Sequence, residues 1–218
     1  MARLLLPCLL VAALFSTINF GGENLCANEP AKFQLEEGFE LLFNGTDLAG
    51  WEGDTSLWKV KEGAIVGDSP GIRKNNFLAT TQRYENFELR LQFRLREGTG
   101  NSGIQFRSER IPDNHEMIGY QADIGEQYWG CLYDESRRRK ILAQAPPELV
   151  EEIDKSDWIN YTIRAKEGRI TLKMNDFTTV NYTEPDPEIP RTGLIALQVH
   201  SGGPLKVEFR HIRIKVFD

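Results

Sequence analysis

The sequence predicts an all-β chain folded as a two-sheet antiparallel sandwich. Three observations carry this: strict apolar/polar alternation in several stretches, turn-forming clusters about every 8–12 residues, and almost no helical periodicity. The clearest alternation is NFELRLQFRLREGTGNSGIQFRS, residues 86–108. Phe87, Leu89, Leu91, Phe93 and Leu95 alternate with Glu88, Arg90, Gln92, Arg94 and Arg96, the repeat of a strand with one dry and one wet face. Ile104 and Phe106 resume the pattern after Glu97 to Ser102, a segment dense in turn formers. The stretch therefore predicts a long hairpin with 87–96 paired to 103–108. Its polar face would offer Gln92, Arg94, Gln105 and Arg107 to a ligand. A lone hairpin is marginal in water, so a second sheet must cover its apolar face.

In chain order, residues 1–27 read as a cleaved secretory signal. Arg3 gives a positive start, Leu4 to Phe15 is apolar apart from Pro7, and Leu25-Cys26-Ala27 ends in small residues. The apolar run is shorter than the roughly 20 residues of a membrane span. A secreted or periplasmic location follows, with a short extension at 28–37 and the domain at 38–218. Cleavage would leave Cys131 as the single remaining cysteine of three, which excludes an internal disulfide and a thiolate zinc site. The net charge of −6, with no basic run beyond Arg137 to Lys140, argues against a nucleic-acid partner.

Phe39 to Phe43 predicts a short strand, followed by the turn Asn44-Gly45-Thr46-Asp47. Leu57 to Val60 and Ala64 to Val66 form a hairpin about Glu62-Gly63, and Phe77 to Thr81 another strand. Within 159–174, a two-residue turn at Glu167-Gly168 would face Ala165 with Ile170, Ile163 with Leu172 and Tyr161 with Met174. Every apolar residue then falls on one side. Near the end, Leu205, Val207 and Phe209 are odd-numbered while Ile212, Ile214 and Val216 are even-numbered. That phase slip predicts a β-bulge between Arg210 and Ile212. The one helix expected is short, near Pro147 to Ile153. Glycosylation sequons lie at Asn44, Asn160 and Asn181.

Four motifs together carry a family resemblance: GFELLFNGTDLAGW at 38–51, WKVKEGAIVG at 58–67, YENFELRLQFRLREGTGNSGIQFR at 84–107 and VEFRHIRIK at 207–215. The chain from Gly38 to Phe217 resembles the 3-keto-disaccharide hydrolase family. The resemblance implies a jelly-roll sandwich like that of concanavalin A. It also implies cleavage of glycosides oxidised at C3, a carbohydrate partner, and a ligand groove across one sheet. The oligomeric state is left open.

The residues that can face such a groove alternate with apolar neighbours. They are Gln105 and Arg107, Gln121 and Asp123 in GYQADIGE, and Gln198 and His200 in LIALQVHSG. Trp129 and Tyr133 could stack on a sugar ring. Asp123, a carboxylate at mid-strand, and His200 are the candidate acid–base pair. Each has a plainer reading: Asp123 as an ion-pair partner of Arg107, His200 as an exposed or structural histidine. Laminarinase-type glucanases carry Glu-x-Asp-x-x-Glu on a concave strand. The matching spacing here is Gln121-Ala122-Asp123-Ile124-Gly125-Glu126, and Gln121 cannot serve as a carboxylate nucleophile. A ketone at C3 would instead acidify the C2 proton and allow β-elimination at C1. His200 or Asp123 would be the base, and Arg107 or a divalent metal would stabilise the enolate. No metal-ligand spacing stands out. The competing expectation is a non-catalytic carbohydrate-binding module using the same groove.

Overall fold

A computed structural model describes residues 33–218. The expected signal over 1–27 and the first residues of the extension lie outside the described residues. The strands are β1 (Glu40–Leu41), β2 (Trp51–Glu52), β3 (Trp58–Lys61), β4 (Ala64–Ser69), β5 (Asn76–Thr80), β6 (Phe87–Leu95), β7 (Asn101–Arg110) and β8 (Met117–Gly125). They continue as β9 (Leu132–Glu135), β10 (Lys140–Ala143), β11 (Ile159–Lys166), β12 (Arg169–Met174), β13 (Phe177–Thr183), β14 (Leu194–Val199) and β15 (Leu205–Val216). One short helix, α1 (Pro147–Glu151), sits where the sequence places it, with proline in its first turn.

The strands form two antiparallel sheets. The eight-stranded sheet runs β13-β12-β11-β6-β15-β4-β3, with β1 added on β15; the seven-stranded sheet runs β10-β9-β8-β7-β14-β5-β2. Their inner faces meet in one core that includes Leu89, Leu91, Phe93, Ile104, Phe106, Ile163, Leu172, Leu197 and Phe209, each at most 1% exposed. Alternation decides the inner face of each strand, as the sandwich expectation requires. The β11–β12 register is the predicted one, with Ala165 opposite Ile170, Ile163 opposite Leu172 and Tyr161 opposite Met174. The predicted bulge in β15 is also present. Pairing with β6 slips between Arg210 and Arg213, and His211 takes a positive φ of 54°.

One expectation is overturned. Segments 87–96 and 103–108 do not pair. β6 lies between β11 and β15 in one sheet, and β7 lies between β8 and β14 in the other. The connection turns through Glu97, Gly98 and Gly100, all with positive φ, and crosses the sandwich instead of closing a hairpin. At Gly100 the φ of 97° is one that L side chains rarely adopt, so the crossing favours glycine there. Alternation is satisfied equally by either arrangement, since both bury Phe87 and Phe106. Here these two rings meet from opposite sheets, edge to face with centroids 6.4 Å apart. The crossing also separates the expected polar face: Gln92 and Arg94 emerge on the outside of the eight-stranded sheet, and Gln105 on the outside of the seven-stranded one.

Candidate functional site

The outer face of the seven-stranded sheet is floored by amide side chains. Gln105 on β7 stands opposite Gln121 on β8, which stands opposite Tyr133 on β9. In the adjoining row Gly103 faces Asp123. A Cβ at Gly103 would lie 2.7 Å from the Gln121 side chain, so the bare backbone there lets Gln121 lie flat towards Asp123.

The result is a chain of hydrogen bonds along the sheet. The Ser108 hydroxyl donates to Gln105 Oε1 at 2.6 Å, Gln105 Nε2 to Gln121 Oε1 at 2.8 Å, and Gln121 Nε2 to Asp123 Oδ1 at 2.7 Å. All four residues are at most 3% exposed. Gln121 Nε2 also points to Gln198 Oε1 at 3.5 Å, while Gln198 Nε2 is buried without a partner among the described residues. Gln121 thus spends both its protons on neighbours, and only Asp123 Oδ2 is left towards the Cys131 thiol, 3.8 Å away.

Above this floor lies a pocket of about 160 Å³ lined by Asn75, Asn101, Gln121, Asp123, Tyr128, Tyr133, Glu135 and His200. Burial pushes the Asp123 carboxyl well above the usual carboxylate range. The hydrogen bond from Gln121 opposes that shift and the negative field of Glu135 adds to it. Glu135 is itself raised, first by burial and then by the nearby Glu116. Glu116 is tied to the pocket wall by Asn75 Nδ2, 3.2 and 3.1 Å from its two oxygens, and pairs with His115 at 2.9 Å. His200 Nδ1 lies 2.6 Å from the Ser201 carbonyl oxygen. A carbonyl only accepts, so Nδ1 carries a hydrogen, and in that tautomer Nε2 is the acceptor.

The pocket therefore gathers Asp123, His200, Gln121 and Tyr133 of the expected set. Gln105 and Gln198 share the face but lie in the floor beneath it. Two residues are elsewhere. Arg107 sits in a bulge where β7–β8 pairing slips between Phe106 and Glu109, and its φ of 48° turns it to the inner side. Its guanidinium donates to the Glu85 carbonyl at 2.8 Å, the Glu167 carbonyl at 2.7 Å and Asn86 Oδ1 at 3.3 Å. It ties β7 to two turns of the opposite sheet, and burial lowers its pKa to about 10. It is not a groove residue and does not pair with Asp123. Trp129 is 6% exposed and packs in the core 6.2 Å from Phe93, so it does not stack on a ligand here. The aromatic beside Tyr133 in the pocket is Tyr128, edge-on at 6.3 Å. Glu126, the last position of the glucanase-like spacing, lines a separate hollow with Trp129 and Pro147.

Asn75, Asn101, Tyr128 and Glu135 lie outside the sequence-based expectation. Three of them obey the same alternation: Asn101 shares parity with Gly103 and Gln105, Glu135 with Tyr133, and Asn75 with Phe77. Tyr128 lies in a 3-10 turn after β8, where alternation gives no guide. Among the described residues, no three His, Cys, Asp or Glu side chains converge as metal ligands.

The chain belongs to the 3-keto-alpha-glucoside-1,2-lyase-like domain family, which it matches over residues 38–215. No curated protein matches it. Among solved structures it is similar to a presumed glycosyl hydrolase from Parabacteroides distasonis ATCC 8503, at 22% identity and a TM-score of 0.64, over 84% of this chain and 95% of that one. It is similar to the carbohydrate-binding module CBM66 from Bacillus subtilis at 16% identity and a TM-score of 0.58, over 80% and 99% of the two chains. It also resembles the exoplasmic/lumenal domain of VIP36, in a form bound to Ca²⁺ and Man3GlcNAc, at 12% identity and a TM-score of 0.59, over 84% and 90%. These likenesses establish the concanavalin A-like sandwich.

Proposed function

We propose that this protein, in a secreted or periplasmic setting, cleaves the glycosidic bond of 3-keto-glycosides by elimination followed by hydration. One observation carries the reading. A single pocket holds an imidazole whose Nδ1 is engaged by a carbonyl, leaving Nε2 towards a substrate, and a carboxyl that burial shifts towards its protonated form. Family membership supports the substrate class, because the ketone is what makes the C2 proton removable.

In this reading His200 Nε2 takes the C2 proton, and the C–H electron pair moves into an enolate whose charge rests on the ketone oxygen. The Asn101 amide on the pocket wall is the donor for that oxygen. The enolate collapses to a C1=C2 double bond, the C1–O bond breaks, and the leaving oxygen takes the Asp123 proton. Water then adds its hydroxyl to C1 and returns a proton to Asp123, while His200, its N–H exchanged with solvent, protonates C2. The pocket is smaller than the roughly 300 Å³ at the low end of common ligand sites, so it suits one ring, with the leaving group out along the sheet. Tyr128 and Tyr133 border that ring. A carboxylate nucleophile has no place in this scheme, which accommodates glutamine at position 121.

The test is incubation with an aryl 3-keto-glucoside in D₂O. The expected result is released aglycone and a product deuterated at C2, with no release from the plain glucoside. Binding without release or exchange would instead assign the chain as a carbohydrate-binding module.

A further inference from the structure

We infer that the outer face of the eight-stranded sheet is a second binding surface, made for an acidic polysaccharide. It lies on the opposite side of the sandwich from the pocket, and it does not depend on the chemistry proposed there. No basic run marks it in the sequence. The cations come from alternate positions of four strands that only the fold brings together. Register sets Arg213, Arg90, Thr162 and Lys173 side by side on β15, β6, β11 and β12. The rows beside it hold Arg164 next to Thr171 and Lys166 next to Arg169.

These rows form a trough. Arg90, Arg164, Lys173 and Arg213 line a hollow of about 720 Å³. It shares Arg164 and Thr171 with a second hollow of about 350 Å³ that Lys166 and Arg169 line. Six cations thus face three lining acids, Glu88, Glu167 and Asp176, on a chain whose net charge is −6. Glu88 is taken up by Arg90 at 2.5 Å or more and by Arg164 at 2.9 Å, while Glu36 holds Arg213 and Arg90. Lys166, Arg169 and Lys173 make no ion pair among the described residues. They are the charges available to a partner.

The lining between the cations selects the partner. It is Asn160, Thr162 and Thr171, hydroxyl and amide groups suited to sugar hydroxyls. A membrane surface would call for exposed apolar side chains beside the cations, and Leu91 and Tyr161, which line the trough from beneath, are at most 1% exposed. Duplex DNA is read by an element that enters a groove, and single strands by a row of aromatic platforms. This face is a sheet, and with Tyr161 buried it offers Phe177 alone among its lining aromatics. Arg90 and Lys173 are two strands apart, about 10 Å, a spacing that suits a polymer with anionic groups at intervals. Carboxylated and sulfated glycans share this chemistry.

The test is a binding titration of the whole protein against polygalacturonate and against heparin, at low salt and at physiological ionic strength. The expected result is binding to at least one of them that weakens as salt screens the charges. The variant K166E/R169E/K173E should bind at least about tenfold more weakly, since exposed charge pairs contribute modestly but three are reversed. Circular dichroism and turnover of the 3-keto-glucoside should be unchanged in the variant, because none of these side chains lines the pocket. Unchanged affinity in the variant, no binding of either glycan at low salt, or tighter binding of duplex DNA or phosphatidylserine vesicles would each overturn the inference. The preference between the two glycans reports whether carboxylate or sulfate is the natural anion.

Discussion

The two outer faces of the sandwich arise from the same period-two alternation, yet their carboxyl groups behave in opposite ways. On the seven-stranded sheet Asp123 and Glu135 are raised by burial beside amides and other acids. On the eight-stranded sheet Glu36 is held down to about 2, chiefly by its hydrogen bond from Arg213. Burial works to raise Glu208 there too, but hydrogen bonds from Arg94 and Arg96 outweigh it. The difference lies in the neighbours that alternation supplies. β6 and β15 alternate with arginines, so Glu88 and Glu208 are paired. β7, β8 and β14 alternate with glutamines, so Asp123 among them has only neutral donors and its carboxyl is raised, whereas Glu109 at the end of β7 reaches Arg83 and is lowered. A face of paired charges is stable and chemically inert towards proton transfer. A face with a carboxyl of raised pKa in one pocket with an imidazole is equipped to move protons.

The sharpest way to break this contrast is to remove the proton-transfer groups. Asp123→Asn and His200→Ala should each lower turnover of a 3-keto-glycoside by about 10²-fold or more, the usual worth of acid–base catalysis. Glu208→Gln, on the other face, should leave turnover within about twofold. Steady-state kinetics on the three variants checks the pattern. Full activity in both pocket variants would remove these residues from the mechanism.

A smaller effect concerns pH. Asp123 has a folded pKa above its unfolded one, so the folded state holds the proton more tightly. Its contribution is fully present below the unfolded value and is lost as pH rises through the raised folded value. Glu36 is the reverse: its contribution is present above about 4.5 and is lost as pH falls towards about 2. Stability should therefore decline at both ends of the pH range, and the two declines belong to opposite faces. Denaturation of Asp123→Asn as pH rises above about 4 should show less decline than the parent, by on the order of 1 kcal/mol per pH unit crossed below the folded value. An unchanged pH dependence would mean that the Asp123 carboxyl is not raised in the folded protein.

How far the sequence reaches follows from what alternation encodes. It specifies which side of a strand is dry, and so it supports the register of β11 with β12, the slip in β15 and the shared face of Gln105, Gln121, Asp123, Gln198 and His200. It does not specify the neighbouring strand. Phe87 and Phe106 are buried whether β6 and β7 pair or face each other, and the crossing at Glu97 to Gly100 is visible only in the backbone. Nor does it survive a bulge: the extra residue at Arg107 turns a predicted ligand contact into an inward tie. Asn101 and Glu135 were within its reach, because each continues a face that Gln105 and Tyr133 already mark. Trp129 and Tyr128 lie beyond the strand, where turn geometry alone decides which ring reaches the pocket. The basic trough is the converse case, a surface that no local run of charge announces.

The smallest expected effect sharpens the comparison from the charged side. Arg164 donates to Glu88 at 2.9 Å, and the two side chains are 47% and 10% exposed. Arg164→Gln removes one partner of a mostly solvated pair, and Glu88 keeps Arg90. An exposed pair contributes only about 0.2–1 kcal/mol, because water and salt screen it and two long side chains must be ordered to make it. The loss should therefore be about 0.5 kcal/mol or less in urea denaturation, and smaller still at high salt. A loss of several kcal/mol would mean that Glu88 depends on both arginines as a buried charge would. The eight-stranded face would then be as tightly coupled as the glutamine floor, and the division between an inert charged face and a proton-handling one would have to be drawn from geometry alone.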